Sequence, residues 1–391
     1  MKTLLLGMLL SLLLAASAFA DSWAPPSVHS YSSPNGEWKL TVYPRGLTNQ
    51  LDYFRDKVDG KPNAGGIPGD TQASPIGHMQ RKQGGRWQTV WKAPLVNDVS
   101  PVEAVVSNDG TTVTFDNWHS VGWGDDAVVL YAADGRRVRA FGLSAFLPKY
   151  YINAVPRSVS SIHWRGKPRI DEATRELVIP VVVPSADEDA AHTDKERFVD
   201  VRFGLADGAL VPMAGQAWTE ANDAAVKENA RRERLAEEQM QRFIAPLAAP
   251  REDDMLGWHV YLRDAFFRLD PDWEEGYPSA HVVPLPDDPE FASSATDVGD
   301  TLSDDINADG AIMVASPSQA ALVQALQQQA RRAKPGALVK ARVYVAADDA
   351  HMPEVRAALA HTGARLIQLD IDGTIPQRKE RLERFLKNRG D

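Results

Sequence analysis

Residues 102–143 read VEAVVSNDGTTVTFDNWHSVGWGDDAVVLYAADGRRVRAFGL, and this stretch decides the architecture of the front half of the chain. Four short apolar runs alternate with turn chemistry: Asn108-Asp109-Gly110 follows the first run, a Gly-rich connector the second, and Asp134-Gly135 the third. The runs are rich in Val, Thr, Phe and Tyr, which suit a pleated surface. Each Asp-Gly pair supplies a glycine that tolerates the positive φ of a tight hairpin. The spacing therefore predicts four antiparallel strands within about 40 residues.

The same plan recurs on both sides. Upstream, a run from Val28 meets Ser33-Pro34-Asn35-Gly36, then EWKLTVYP, a long Gly-rich excursion at residues 57–77, and RWQTVWKAPL. Downstream, from about residue 160, come ELVIPVVVP, RFVDVRFGL and the turn Asp207-Gly208. Residues 28–212 thus read as all-β. In the Ser-Pro-Asn-Gly and Ser-Asn-Asp-Gly turns that lead into strands (33–36 and 107–110), the segment resembles the blades of β-propeller repeat proteins. Closed propellers have about four to eight blades, so three leave the ring incomplete, and a β-sandwich built on similar turns is the other architecture the pattern allows.

The composition changes at Trp218. TEANDAAVKENARRERLAEEQMQRF lacks Pro and Gly and predicts a helix of about 25 residues, with Glu228–Arg232 and Arg234–Glu238 four apart on solvated faces. Residues 245–254 read as a linker. From Ala311 onward, strands at 311–315, 338–346 and 364–369 alternate with helices. One helix opens with Ser316 as cap and Pro317 at its first position, one at Pro353, and one near Pro376, and Gly363 ends the second. Strands alternating with helices imply a small, mostly parallel sheet. Residues 270–309, rich in Pro and Asp, give no assignment. The expectation is an α+β chain of two domains: all-β over 21–217 (propeller-like blades or a sandwich), a helical connector over 218–254, and α/β over 255–391.

The first 20 residues place Lys2 before an apolar run from Leu4 to Leu14 and end on Ala18-Phe19-Ala20. That is the pattern of a secretory signal cleaved after Ala20, which implies a periplasmic or extracellular protein. No later run reaches the roughly 20 apolar residues of a spanning helix. With no cysteine among the 391 residues, disulfides, thiol catalysis and thiolate metal sites are excluded. A net charge of −10 argues against nucleic acid as a partner. Gly-x-Ser-x-Gly and phosphate-loop patterns are absent.

Several constellations could carry chemistry. Leu369-Asp370-Ile371-Asp372-Gly373-Thr374 resembles the first motif of haloacid dehalogenase-type phosphatases. The resemblance implies Asp370 as nucleophile toward phosphorus, Asp372 as general acid, and a divalent metal. Only 17 residues follow Thr374, so Asp348 and Asp349 could stand for that family's second acidic pair only in a permuted chain. Topology places Asp348, Asp349, Asp370 and Asp372, with Ser316 and His351, at the carboxyl ends of strands, where open α/β sheets bind ligands; such carboxylates suit Mg²⁺ or Ca²⁺. The loop Asp305-Ile306-Asn307-Ala308-Asp309-Gly310 resembles an EF-hand calcium loop with Asp305, Asn307 and Asp309 as ligands, but has Ser316 where the bidentate Glu belongs. Asp116, His119, Asp125 and Asp126 crowd one loop of the clearest repeat, and His163 sits beside Trp164. Trp118, Trp123 and Trp164 are candidates for a sugar platform. The functional expectation is an exported, non-catalytic binding protein whose partner is an envelope protein or glycan. The alternatives are a metal-dependent, phosphatase-like hydrolase and a carbohydrate-binding protein.

Overall fold

The computed structural model describes residues 24–389, apart from 159, 188–192, 194 and 252. The expected signal at residues 1–20, with its cleavage point after Ala20, lies outside the described residues. Contacts divide the chain into two compact units that part at Arg234 and Leu235. The chain is a mixed α+β protein, with antiparallel sheets in the front half and a parallel sheet in the back.

In the first unit three antiparallel sheets follow one another along the chain. The first is β1 (His29–Ser32), β2 (Trp38–Tyr43), β3 (Ile76–Gln83) and β4 (Arg86–Pro94); the second is β5 (Pro101–Val106), β6 (Thr112–Asn117), β7 (Val128–Tyr131) and β8 (Arg137–Phe141). The third joins β9 (Arg169–Asp171), β10 (Glu176–Val182) and β11 (Phe198–Gly204) in the order β11-β10-β9. The excursion after β2 contains a helix, α1 (Gln50–Val58), capped by Asn49, whose side chain accepts from Asp52 N–H. A second short helix, α2 (Lys149–Ala154), follows the second sheet.

The middle sheet has neighbours on both faces, which explains why β6 and β7 are buried at every position instead of alternating. On one side Ala104, Val106, Val129 and Tyr131 pack with Trp38, Leu40, Met79 and Trp91 of the first sheet. On the other, Val113, Phe115, Leu130 and Phe141 pack with Ile179, Val181, Val201 and Phe203 of the third. Both Asp-Gly turns lie against tryptophans of the first sheet: a Cβ at Gly110 (φ +91°) would come within 2.6 Å of the Trp38 ring, and one at Gly135 (φ +86°) within 2.8 Å of Trp91.

A long helix, α3 (Gln216–Ile244), runs through the division between the units. The expected linker after it contains β12 (Leu247–Ala248), and α4 (Met255–Leu269) follows. The stretch that the sequence left unassigned holds β13 (Ser279–Val282) and α5 (Phe291–Ser303). The parallel sheet continues with β14 (Ala311–Ala315), β15 (Arg342–Ala346) and β16 (Arg365–Leu369), in the order β13-β14-β15-β16. Helices α5, α6 (Gln319–Gln329) and α7 (Met352–Leu359) pack with Ile312, Val314, Val343 and Val345. On the other face α4 packs with Met313, Tyr344 and Ala346. The chain ends with β17 (Thr374–Ile375), antiparallel to β12, and α8 (Lys379–Arg389).

One local expectation is corrected here. The cap of α6 is Ser318, whose hydroxyl accepts from Ala321 N–H at 3.3 Å; Ser316 is buried, and its Oγ accepts from Ser318 N–H instead. Thr374, at the end of the phosphatase-like string, pairs with Ala248 in the β12–β17 ladder.

Candidate anion-binding site

The site begins where α2 stops. Pro156 disfavours helical geometry at the residue before it, and Val155 is extended (φ −71°, ψ 149°), so the helix ends at Ala154. Arg157 then bridges back to Ile162, and His163 N–H donates to Pro156 O at 2.8 Å. In–out alternation buries Ile162 and Trp164 and leaves His163 partly exposed between them. His163 Nε2 meets Glu196 Oε1 at 2.6 Å, next to the start of β11.

Arg232 comes in from α3. Its Nη1 donates to the carbonyls of Asn153 (2.9 Å) and Val155 (3.0 Å), a favourable place for a cation at a helix C-terminus. Its Nε pairs at 2.7 Å with Glu228, whose side chain is only 3% exposed, so this pair does not lie on the solvated face expected from its spacing. Burial works against the Glu228 charge, but its bonds to Arg231 and Arg232 outweigh that and hold the carboxyl below its usual range. Arg157 donates to Ile152 O, and partial burial together with the nearby Arg232 pushes its guanidinium down.

These groups surround a cavity of about 330 Å³ lined by Arg157, Lys195, Arg197 and Arg232, with Asp187 and Glu196 as the acids among the described residues. Glu228 answers Arg232 and His163 engages Glu196. Among the described residues, Arg157, Lys195 and Arg197 have no carboxylate partner. A second cavity, of about 420 Å³, shares Pro156 and Arg157 with the first and adds Ser158, Ser161 and His163. The arrangement can hold a compact anion, with guanidinium and ammonium donors facing it.

The expected carboxylate cluster does not form. Asp348 Oδ1 takes His351 N–H (2.8 Å) and His351 Nδ1 (2.7 Å), and although burial opposes it, these bonds hold its carboxyl below the usual range. Asp349 accepts from Gln368 Nε2 at 3.0 Å, across from the neighbouring strand, and Asp370 from Asp372 N–H at 3.0 Å, a local turn bond. Among the described residues, no three His, Asp or Glu side chains come together as a metal-binding group. The strand order explains this. A ligand crevice opens where the order of an α/β sheet reverses, and β13-β14-β15-β16 never does.

The calcium-like loop is built differently as well. Asp305–Asn307 forms a 3₁₀ turn, Asn307 Oδ1 accepts from Ser279 Oγ at 2.8 Å, and Asp309 is exposed. His119 (φ +63°) packs its ring 4.2 Å from that of Phe54 and 5.5 Å from that of Trp118. Of the three tryptophans considered as a sugar platform, Trp118 and Trp164 are buried and only Trp123 is exposed, with Arg157 over its ring at 5.9 Å. Arg157, Lys195, Arg197 and Arg232 were missed by the sequence reading because they lie on separate elements. The one local hint is Pro156-Arg157 at the end of a helix.

No protein-family model and no curated protein matches the chain. Two solved structures overlap part of it. The Pseudomonas aeruginosa periplasmic gluconolactonase does so at 16% identity over 49% of this chain and 46% of that one, with a TM-score of 0.24. A europium-containing methanol dehydrogenase does so at 10% identity over 50% of this chain and 26% of that one, with a TM-score of 0.23. The chain therefore spans about half the length of the first and a quarter of the second, and overlaps at these scores carry no argument.

Proposed function

We propose that this chain is an exported, non-catalytic binding protein of the cell envelope, whose three front sheets are blades of an open propeller and whose basic cavity takes a small anionic ligand. The blade reading is supported by turns that occupy equivalent places. Asn35 N–H donates to Asn108 Oδ1 at 2.9 Å, and Asn108 N–H donates in turn to Glu172 Oε1 at 2.8 Å, so successive sheets are linked turn to turn. The binding reading rests on one observation: Arg157, Lys195 and Arg197 line a cavity of about 330 Å³ without carboxylate partners among the described residues. An anion between them adds counter-charge and relieves the repulsion between Arg157 and Arg232. The volume lies at the small end of ligand pockets, roughly 300–1,000 Å³, so the ligand is a small molecule or a single charged group.

Calorimetric titration with inorganic phosphate and with citrate tests the reading. One saturable site is expected, weakened about tenfold or more by Arg157→Gln or Arg197→Gln. No binding at millimolar anion, or binding that neither substitution changes, overturns it.

A further inference from the structure

The first sheet buries one face and offers the other. Alternation along β2 sends Trp38, Leu40 and Val42 into the core and sets Lys39 and Tyr43 on the outer face, with Thr41 buried between them. Register then sets Lys39 beside Gln80, Thr41 beside His78, Lys82 beside Trp87 and His78 beside Lys92 on that outer face. Tyr43 and Trp87 are 39% and 37% exposed, and each has a lysine against its ring: Lys92 Nζ is 6.0 Å from the Tyr43 centroid, and Lys39 Nζ is 4.6 Å from that of Trp87. The charged residues of the four strands are Lys39, Arg81, Lys82, Arg86 and Lys92, with no acid among them, in a chain of net charge −10.

We propose that this face binds an acidic polysaccharide, with sugar rings on Trp87 and Tyr43 and the anionic groups on Lys39, Lys82 and Lys92. This surface is separate from the cavity at Arg157. Exposed aromatic rings give flat apolar ground, and lysines already held over them lose less freedom when an anion arrives. Sugar hydroxyls find partners in Gln80, in the His78–Thr89 pair (2.8 Å) and in Ser30, whose hydroxyl is held 2.9 Å from that of the buried Thr41. The length of the face selects a chain over a single sugar. Tyr43 pairs with Ile76 at one end of β3 and Trp87 with Lys82 at the other, a separation of about 20 Å at ~3.3 Å per residue.

The test is affinity electrophoresis of the full chain through polygalacturonate, dextran or a DNA duplex. Polygalacturonate should retard the protein, less so at high salt because exposed charges are screened. Dextran should not. Trp87→Ala, and Lys39→Gln combined with Lys92→Gln, should each weaken retardation about tenfold, while Lys340→Gln, an exposed lysine of the second unit, leaves it unchanged. Circular dichroism checks that each variant is folded, and Trp87→Phe should keep most of the binding. The proposal is overturned by any of three results: no retardation, retardation that Trp87→Ala leaves intact, or equal binding to the DNA duplex.

Discussion

Asp116 accepts two hydrogen bonds from Arg165, 3.1 Å from Nε and 2.9 Å from Nη2, and so ties the second sheet to the chain that leads into the third. Asp116 is fully buried, yet its oxygens are satisfied, since Oδ1 also takes Gly122 N–H (2.8 Å) and Trp164 Nε1 (3.0 Å). Glu103 completes the set at 2.6 Å from Arg165 Nη1. The backbone at Asp116 is left-handed (φ +58°), a strain that the four bonds to its side chain hold in place. Asp116→Ala should cost about 3–5 kcal/mol in a urea transition followed by tryptophan fluorescence, because it strands the arginine. Arg165→Met should also be costly, and the double variant should lose less than the sum. A loss below about 1 kcal/mol for Asp116→Ala would remove the pair from the forces joining the sheets.

The same loop illustrates what a sequence can and cannot disclose. Residues 102–143 are legible because each Asp-Gly turn is flanked by runs that suit a strand, Val105-Val106 and Thr111–Phe115 around the first and Val128–Tyr131 before the second, so turn and strand chemistry agree. Strand β3, IGHMQRKQ, is not, since its outward positions are polar and its last three residues are exposed, leaving little apolar periodicity. The parallel sheet is legible from β14 onward, but β13 is only four residues long and sits in Pro- and Asp-rich text. Placing Asp348, Asp349, Asp370 and Asp372 at strand ends is a topological inference. Whether such ends enclose a ligand depends on strand order, which no local pattern encodes. The basic cavity is not legible for a related reason: Arg157, Arg197 and Arg232 lie far apart in the chain and meet only where the end of α2, the approach to β11 and α3 come together.

Glu228→Gln separates stability from binding at that cavity. The carboxylate takes Arg231 Nε and Arg232 Nε at 2.7 Å each, and it is nearly excluded from water. An amide of the same shape keeps part of the packing but leaves Arg232 uncompensated, so about 1–3 kcal/mol of stability should be lost. The freed charge faces the cavity, and phosphate affinity should rise by about threefold at low salt. Calorimetry on the variant checks both the direction and its disappearance at high salt.

In the second unit, burial holds the His281 imidazole below its usual range, with His259 pushing the same way and Asp297 opposing. Its Nε2 lies 2.7 Å from Thr301 Oγ1. The folded state therefore takes up the proton less readily than the unfolded chain. Stability is fully present above the unfolded value of about 6.5 and declines as pH falls through it toward the lower folded value. His259 is also lowered by burial and adds a contribution of the same sign. Thermal melts between pH 7 and 5 should show a fall in midpoint that His281→Gln reduces; an identical fall in the variant would assign the effect to other groups.

Two turn glycines offer a matched comparison between backbone strain and packing. Gly36 (φ +68°) and Gly110 (φ +91°) close equivalent turns of the first and second sheets, and an L-residue at either is strained by about 1–2 kcal/mol. Beyond that strain they differ. A Cβ at Gly36 meets nothing within 4 Å, whereas at Gly110 it would lie 2.6, 2.7 and 2.8 Å from three atoms of the Trp38 ring. Trp38 is 7% exposed and wedged among Leu40, Ala104 and Val106, so its ring cannot simply swing away. Gly110→Ala should therefore cost about 1–3 kcal/mol more than Gly36→Ala, the usual scale for overpacking a filled interior. The difference is read as the gap between their urea midpoints at constant slope. Equal losses would mean that the second turn does not press on the first sheet, and the stacking of the two sheets through Trp38 would have to be redrawn.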